Sequence, residues 1–305
     1  MHQAGVEISP QAKRSAQMNE LGELTFAQED GRPPAKLTAS HTPGEYGVSL
    51  LAARFDKGVH FSGTVRQNLI LFPLSQIRVD CHLADRRNAH ETTIGNLAIC
   101  PAGVDCIGEG AGSIDIVLIA VSQAQLAIAA AEEIVPYAKL RERFAHPDVD
   151  LLGLACKLQE ESAAGCPNGP LRWNELSIGF VIALLERHGC DPGGRPAGML
   201  DHVTLRRVTD YMNDHLDEPM NITTLAKVSS RSPFHFTRMF ARSVGLTPYQ
   251  YVVRLRLQRA LQLIREGRMG LAHVAATTGF ADQAHMSRWF RRVYGVPPSR
   301  VVAEF

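Results

Sequence analysis

The chain has no run approaching the eighteen or so apolar residues that a membrane-crossing helix requires, and its opening MHQAGVEISPQAKRSAQMNE has no apolar core of the signal-peptide kind. A cytoplasmic location with no membrane partner is the expectation. Cysteine is sparse: Cys81, Cys100, Cys106, Cys156, Cys166 and Cys190 are scattered, none form a CxxC pair and none fall in the last hundred residues. That spacing excludes a zinc ribbon and a disulfide framework, and leaves reduced thiols packing as small apolar groups. His60, His82 and His90 show no His-x-His spacing, so a metal site would need ligands from distant strands. No catalytic residue, metal or cofactor is expected.

The 305 residues, 45% of them apolar, are enough for two hydrophobic cores. The net charge of +1 conceals an asymmetry. From Leu200 to Phe305 there are fifteen Arg and Lys against eight Asp and Glu, a net +7, which leaves a net −6 for residues 1 to 199. Among those fifteen, lysine is nearly absent, with Lys227 alone against fourteen arginines. The basic part is the candidate polyanion binder, and the planar guanidinium suits bidentate contact to phosphate or guanine.

Self-similarity organises this basic part. A shift of fifty residues lays His235, Phe236, Arg238, Phe240, Arg242, Gly245 and Pro248 on His285, Met286, Arg288, Phe290, Arg292, Gly295 and Pro298. Upstream the offset is forty-nine, with Leu225-Ala226 on Val274-Ala275, so the second copy carries one more residue in its turn.

Each copy reads as helix, tight turn, helix. In the first, Asn221 caps a helix bearing Leu225, Ala226 and Val228, Ser229-Ser230-Arg231 turns, and Ser232-Pro233 starts a second helix. On it Phe236, Met239 and Phe240 face inward at i, i+3, i+4, leaving Phe234, Thr237, Arg238 and Ala241 outward. In the second copy Gly279 supplies a left-handed turn residue, Phe280 plugs the angle, and Asp282 caps a helix with Met286, Trp289 and Phe290 inward. Gln283, Ala284, Ser287 and Arg288 then point outward, and Gln and Arg are the side chains that pair bidentately with adenine and guanine. Arg242 and Arg292 are phosphate contacts or solvated charges. Between the copies a helix of about fifteen residues, roughly 22 Å long, presents Val252, Leu255, Arg259 or Ala260, and Leu263 on one face. Ahead of them another helix buries Leu205, Val208, Met212 and Leu216.

The stretch LAKVSSRSPFHFTRMFARSVGLTPYQYV followed by VAATTGFADQAHMSRWFRRVYGVPP resembles the AraC/XylS DNA-binding domain over roughly residues 203 to 303. The resemblance implies a seven-helix, all-α domain with two helix-turn-helix units. It places base-contacting positions at Phe234, Thr237 and Arg238 and at Gln283, Ala284 and Arg288. Ser230 and Arg231 stand where glycine and an apolar residue are usual, and Gly270 where a better helix cap is common.

Residues 1–44 have little periodicity and read as a loose arm. From Tyr46 short β-type runs follow (YGVSLLAARF, QNLILFPL, QIRVDCHL, GNLAIC, SIDIVLIAVS), which suggests a small barrel. Gly95, Pro101, Gly103 and Cys106 resemble the second cupin motif, with Cys106 at the metal-binding histidine's place and Gly110 at that of asparagine. Two helices, around PDVDLLGLACKLQEES and LRWNELSIGFVIALLERHG, flank the barrel, and the second places Leu176, Phe180 and Leu184 on a broad apolar stripe suited to a homodimer.

The expected fold is thus α+β: a loose arm (1–44), a cupin-like sensing and dimerisation domain (45–190), a linker (191–199) and a DNA-binding domain (200–305). The expected function is a transcription regulator of promoter DNA, with a small-molecule effector in the barrel and RNA polymerase as a further candidate partner. A cupin-type metalloenzyme with a DNA-binding tail is the alternative. An alkylation-responsive regulator with a reactive cysteine, and redox sensing through Cys100 and Cys106, also stand.

Overall fold

The computed structural model describes residues 25–28, 31, 36–40, 48–83, 86–132, 139–190 and 198–303. The expected linker, apart from Gly198 and Met199, and most of the expected arm lie outside the described residues. Two compact units form. One gathers the described residues up to 122 together with 140–167; the other gathers 123–132, 139 and those from 168 on.

The first unit is β-rich. Its strands are β1 (Thr25–Ala27), β2 (Lys36–Ser40), β3 (Ser49–Phe55), β4 (Val59–Thr64), β5 (Asn68–Pro73), β6 (Ile77–Leu83), β7 (Arg86–Thr92), β8 (Asn96–Cys100), β9 (Asp105–Ala111), β10 (Ile114–Val121) and β11 (Arg143–Pro147). They make a five-stranded sheet ordered β1-β4-β9-β6-β7 and a six-stranded sheet ordered β11-β8-β5-β10-β3-β2. The two sheets face each other across one core, to which β1, β4, β6 and β9 give Phe26, Val59, Ile77, Leu83 and Cys106, and β3, β5 and β10 give Leu51, Phe55, Leu69, Ile116 and Leu118. The expected closed barrel is corrected to this extent: among the described residues no strand of one sheet pairs with a strand of the other. The sheet edges explain why. β1 is three residues long and β7, RRNAHET, is charged and largely exposed, features that end a sheet rather than extend it.

Alternation decides most strand positions, and β10 shows where it fails. IDIVLIAV is buried almost throughout because the core lies on one side and helix α2 (Val149–Ala163) packs on the other. Asp148 caps α2 by accepting from the Leu151 amide at 3.0 Å. β1 and β2 fall in the stretch read as a loose arm; they pair antiparallel with β4 and β3. Gly95 (φ +92°) and Gly103 (φ +86°) sit at the two turns bounding β8, where a left-handed residue is required.

Between the sheets lies a cavity of about 80 Å³. Its walls are hydrocarbon and aromatic apart from Cys81, Cys100, Cys106, Thr92 and His90. His60 and His82 stand on the exposed side of the five-stranded sheet, so of the three histidines weighed above only His90 reaches the cavity.

The second unit is helical: α1 (Gln123–Glu132), α3 (Gly169–His188), α4 (His202–Asp214), α5 (Ile222–Val228), α6 (Pro233–Val244), α7 (Pro248–Glu266), α8 (Leu271–Thr277), α9 (Gln283–Tyr294) and α10 (Pro298–Ala303). Of the two helices expected to flank the barrel, α2 does so, whereas α3 clusters with the C-terminal helices. Leu171 enters the core formed by α7 to α10, and Glu175 pairs with Arg265 of α7. Ile128 of α1 is likewise buried in a core with Val208, Phe236 and Tyr251.

Candidate nucleic-acid interface

Two small cores organise the C-terminal helices, and α7 serves both. Tyr251, Val252 and Leu255 enter the core with α4, α5 and α6; Val253, Leu257, Ala260 and Ile264 enter the core with α8, α9 and α10. At about 100° per residue those two sets lie on nearly opposite sides of the helix. A single stripe was expected, with Arg259 or Ala260 on it; Ala260 is buried and Arg259 exposed. The helix runs to 19 residues, roughly 28 Å, because it must span both cores.

The first helix-turn-helix is α5, a turn, and α6. Asn221 accepts from the Thr223 amide at 2.8 Å, and Ser232 accepts from the His235 amide at 3.4 Å, with Pro233 at the first helical position. The turn closes by Arg231 N donating to the Ala226 carbonyl at 2.9 Å, and Ser230 holds the left-handed conformation at φ +55°. The second unit is α8, a turn, and α9. Phe280 N donates to the Ala275 carbonyl at 2.9 Å, Gly279 stands at φ +76°, and Asp282 accepts from the His285 amide at 2.6 Å. Ser230 therefore occupies the conformational place of Gly279, as the forty-nine-residue offset requires, and Ala281 is the extra residue of the second turn. Gly270 begins α8 with no side-chain cap bond, consistent with its substitution for a better cap.

α6 and α9 bury equivalent faces. Phe236 and Phe240 are fully buried in the first, Met286 and Phe290 in the second, with Met239 and Trp289 half-buried beside them. The opposite faces carry the residues singled out from sequence. Phe234 is 72% exposed, and Arg238, Arg242, Gln283, Ala284 and Arg288 are exposed, while Thr237 and Ser287 are half-buried. Thr237 Oγ1 donates back to the Pro233 carbonyl at 2.8 Å. Among the described residues no side chain engages Arg238 or Arg288, so both guanidiniums are available to an external acceptor. Arg242 differs, its guanidinium lying against Gly198.

Two features were not singled out from sequence. Tyr249, 57% exposed, packs edge-on against Trp289 at 6.2 Å, and Arg292 lies 5.1 Å over the same indole, so an aromatic and cationic cluster borders α9. Trp289 Nε1 donates to His285 Nε2 at 3.1 Å, and the His285 ring meets Phe280 edge to face at 5.6 Å, which gives that histidine a packing role. The other feature is Arg256. Buried in α7, it donates from Nε to the Leu216 carbonyl at 2.9 Å and from Nη2 to the Glu218 carbonyl at 2.7 Å, and burial lowers its pKa. It ties the segment between α4 and α5, in the first helix-turn-helix half, to the turn of the second, since a Cβ on Gly279 would sit 2.1 Å from the same Leu216 oxygen. An arginine flanked by two buried leucines was the available signal.

Residues 225–304 match a family described as a helix-turn-helix domain. The probable transcriptional regulator LumQ of Photobacterium leiognathi is 35% identical over 101 residues, covering 33% of this chain and 41% of LumQ. The C-terminal domain is of the AraC type. The multiple antibiotic resistance protein MarA of Escherichia coli is 26% identical to it over 100 residues, covering 33% of this chain and 79% of MarA. A probable AraC family transcriptional regulator from Rhodopseudomonas palustris aligns in structure at 27% identity over 33% of this chain and 96% of that one, with a TM-score of 0.32. The chain thus spans less than half the length of LumQ, and the likeness to both curated relatives is confined to about a third of its own length. Among the described residues no helix is long and apolar enough to cross a membrane.

Proposed function

We propose that the chain is a transcription regulator that reads double-stranded promoter DNA with both AraC-type units. Phe234, Thr237 and Arg238 of α6 and Gln283, Ala284, Ser287 and Arg288 of α9 meet base edges in successive major grooves, and Arg242 meets phosphate. The observation that carries this reading is the duplicated geometry: two capped helices with matching buried faces, each offering an unengaged arginine at the same register. A helix of roughly 28 Å between the units supports a spacing near one DNA turn, about 34 Å.

In this reading residues 45–190 sense a signal and dimerise, 191–199 link, and 200–305 bind DNA. The facing sheets and the glycine turns around β8 support a cupin-like arrangement, and the cavity between them supports a small, mainly apolar effector. Such a ligand needs one polar group, because His90 Nδ1 is buried there without a hydrogen-bond partner in a wall that is otherwise nearly all hydrocarbon. Homodimerisation and contact with RNA polymerase complete the proposal, though not through the α3 stripe, since Phe180 and Leu184 are already buried within the protein. Nothing in the comparisons supports the enzymatic alternative.

The test is a titration of the purified chain against a labelled duplex from its own upstream region at two salt concentrations. Arg238→Ala and Arg288→Ala are each expected to weaken binding by about 1–3 kcal/mol, roughly 5- to 150-fold. Unchanged affinity in both variants contradicts the proposed reading.

A further inference from the structure

Cys100 closes β8 in the six-stranded sheet and Cys106 stands in β9 of the five-stranded sheet, so the chain crosses from one sheet to the other between them. The crossing is rigidly held. Gly103 N donates to the Val65 carbonyl at 2.6 Å and Val65 N to the Val104 carbonyl at 2.9 Å. The buried Asn68 accepts from Ala102 N at 3.2 Å while its own amide donates to the Val121 carbonyl at 3.1 Å. This frame sets the two thiols as neighbours on the wall of one cavity, where each perturbs the ionisation of the other. Two neighbouring thiols facing one cavity can be joined by a two-electron oxidant that enters it, a capacity that apolar packing does not require.

We propose that Cys100 and Cys106 form an oxidisable dithiol whose co-reactant is an apolar organic hydroperoxide admitted to the cavity. The chemistry balances as two thiols and one hydroperoxide giving a disulfide, an alcohol and water. The Cys106 sulfur attacks the terminal oxygen of the hydroperoxide, the O–O bond breaks, and the alkoxide leaves as the alcohol with the proton that Cys106 gives up. The Cys100 sulfur then attacks the sulfenic sulfur of Cys106, the S–O bond breaks, and water leaves with the Cys100 proton. The sulfur pair loses two electrons and the O–O bond gains them. Cys106 attacks first because the neighbouring Cys100 holds its thiol below the ordinary range, whereas Cys100 is held well above it. Cys81, on the same wall, is pushed up to about 11 by burial and takes no part. The apolar wall selects a hydrocarbon-bearing oxidant over hydrogen peroxide, which must shed more water to enter.

The experiment uses the reduced full-length chain treated with one equivalent of cumene hydroperoxide or hydrogen peroxide, alkylated, cleaved on the N-terminal side of aspartates, and mapped by mass spectrometry. Cleavage before Asp105 separates the two cysteines unless a disulfide joins them. The expected result is a joined pair of fragments, two hydrogens lighter and separated by dithiothreitol, formed faster with cumene hydroperoxide. Cys81→Ser keeps the link, and Cys100→Ser and Cys106→Ser abolish it; if either serine variant fails to fold, the wild-type map and Cys81→Ser decide. Alkylation of both Cys100 and Cys106 after oxidant treatment, with loss of thiol at Cys166 or Cys190 instead, overturns the dithiol. A faster reaction with hydrogen peroxide overturns the choice of oxidant.

Discussion

Gly279 and Ser230 occupy the same conformational place in the two turns, yet exchanging them has opposite consequences. At Gly279 (φ +76°) an added Cβ meets the Leu216 oxygen at 2.1 Å and the Arg256 guanidinium at 2.8 Å. Holding a side chain in the left-handed region costs about 1–2 kcal/mol, and crowding of this kind costs about 1–3 kcal/mol more. Relief by displacement moves the Leu216 carbonyl away from Arg256 Nε, which donates to it at 2.9 Å, and a hydrogen bond to a charged group is worth about 1.5–3 kcal/mol. Either route puts Gly279→Ala at about 2–5 kcal/mol of lost stability, on the order of 10 °C in Tm. Ser230 is exposed at φ +55°, so Ser230→Gly removes about 1–2 kcal/mol of strain against about 0.5–1 kcal/mol of added chain entropy, a net gain of roughly 0–1.5 kcal/mol. Thermal and urea unfolding of both variants followed by circular dichroism measure the pair. A Gly279→Ala loss below about 1 kcal/mol, or destabilisation by Ser230→Gly, refutes the reasoning.

Arg256→Met keeps the volume of the buried stem but leaves the Leu216 and Glu218 carbonyls without their donor; a loss of about 2–3 kcal/mol in urea unfolding is expected, with weakened binding to DNA that needs both units at once. His90 supplies a pH dependence. Burial lowers its folded-state pKa below the ordinary 6.5, so as pH falls through that value the unfolded chain takes up the proton first and stability declines. Unfolding midpoints from about pH 7.5 to about 5.5 should fall more steeply for the wild type than for His90→Phe, and equal slopes remove His90 from the account.

The helix-turn-helix part was legible because its determinants are local. Caps at Asn221, Ser232 and Asp282, a glycine turn at Gly279 and an i, i+3, i+4 stripe each lie within a few residues of what they specify. α7 was only half legible, since two cores on opposite sides erase the single stripe that sequence periodicity detects. In the β-rich unit the strands with apolar alternation stood out, while β4, β7 and β9 did not. RRNAHET turns a charged, exposed face to solvent as an edge strand. DCIGEGA carries Gly108 where a Cβ would sit 2.6 Å from both Cys81 and Phe61, so the glycine that hides the strand in sequence is required by the side chains crossing it. The short strands β1 and β2 depend on partners distant in sequence, β4 and β3, and nothing in their own composition announces the pairing.

The measurement that bears most directly on the account is a footprint of the purified full-length chain on its own upstream DNA, with Arg238→Ala and Arg288→Ala beside the wild type. The account predicts two protected major-groove segments about 34 Å apart, with Arg238→Ala erasing or broadening one and Arg288→Ala the other. Protection of a single segment, or of two segments that both variants leave intact, contradicts it.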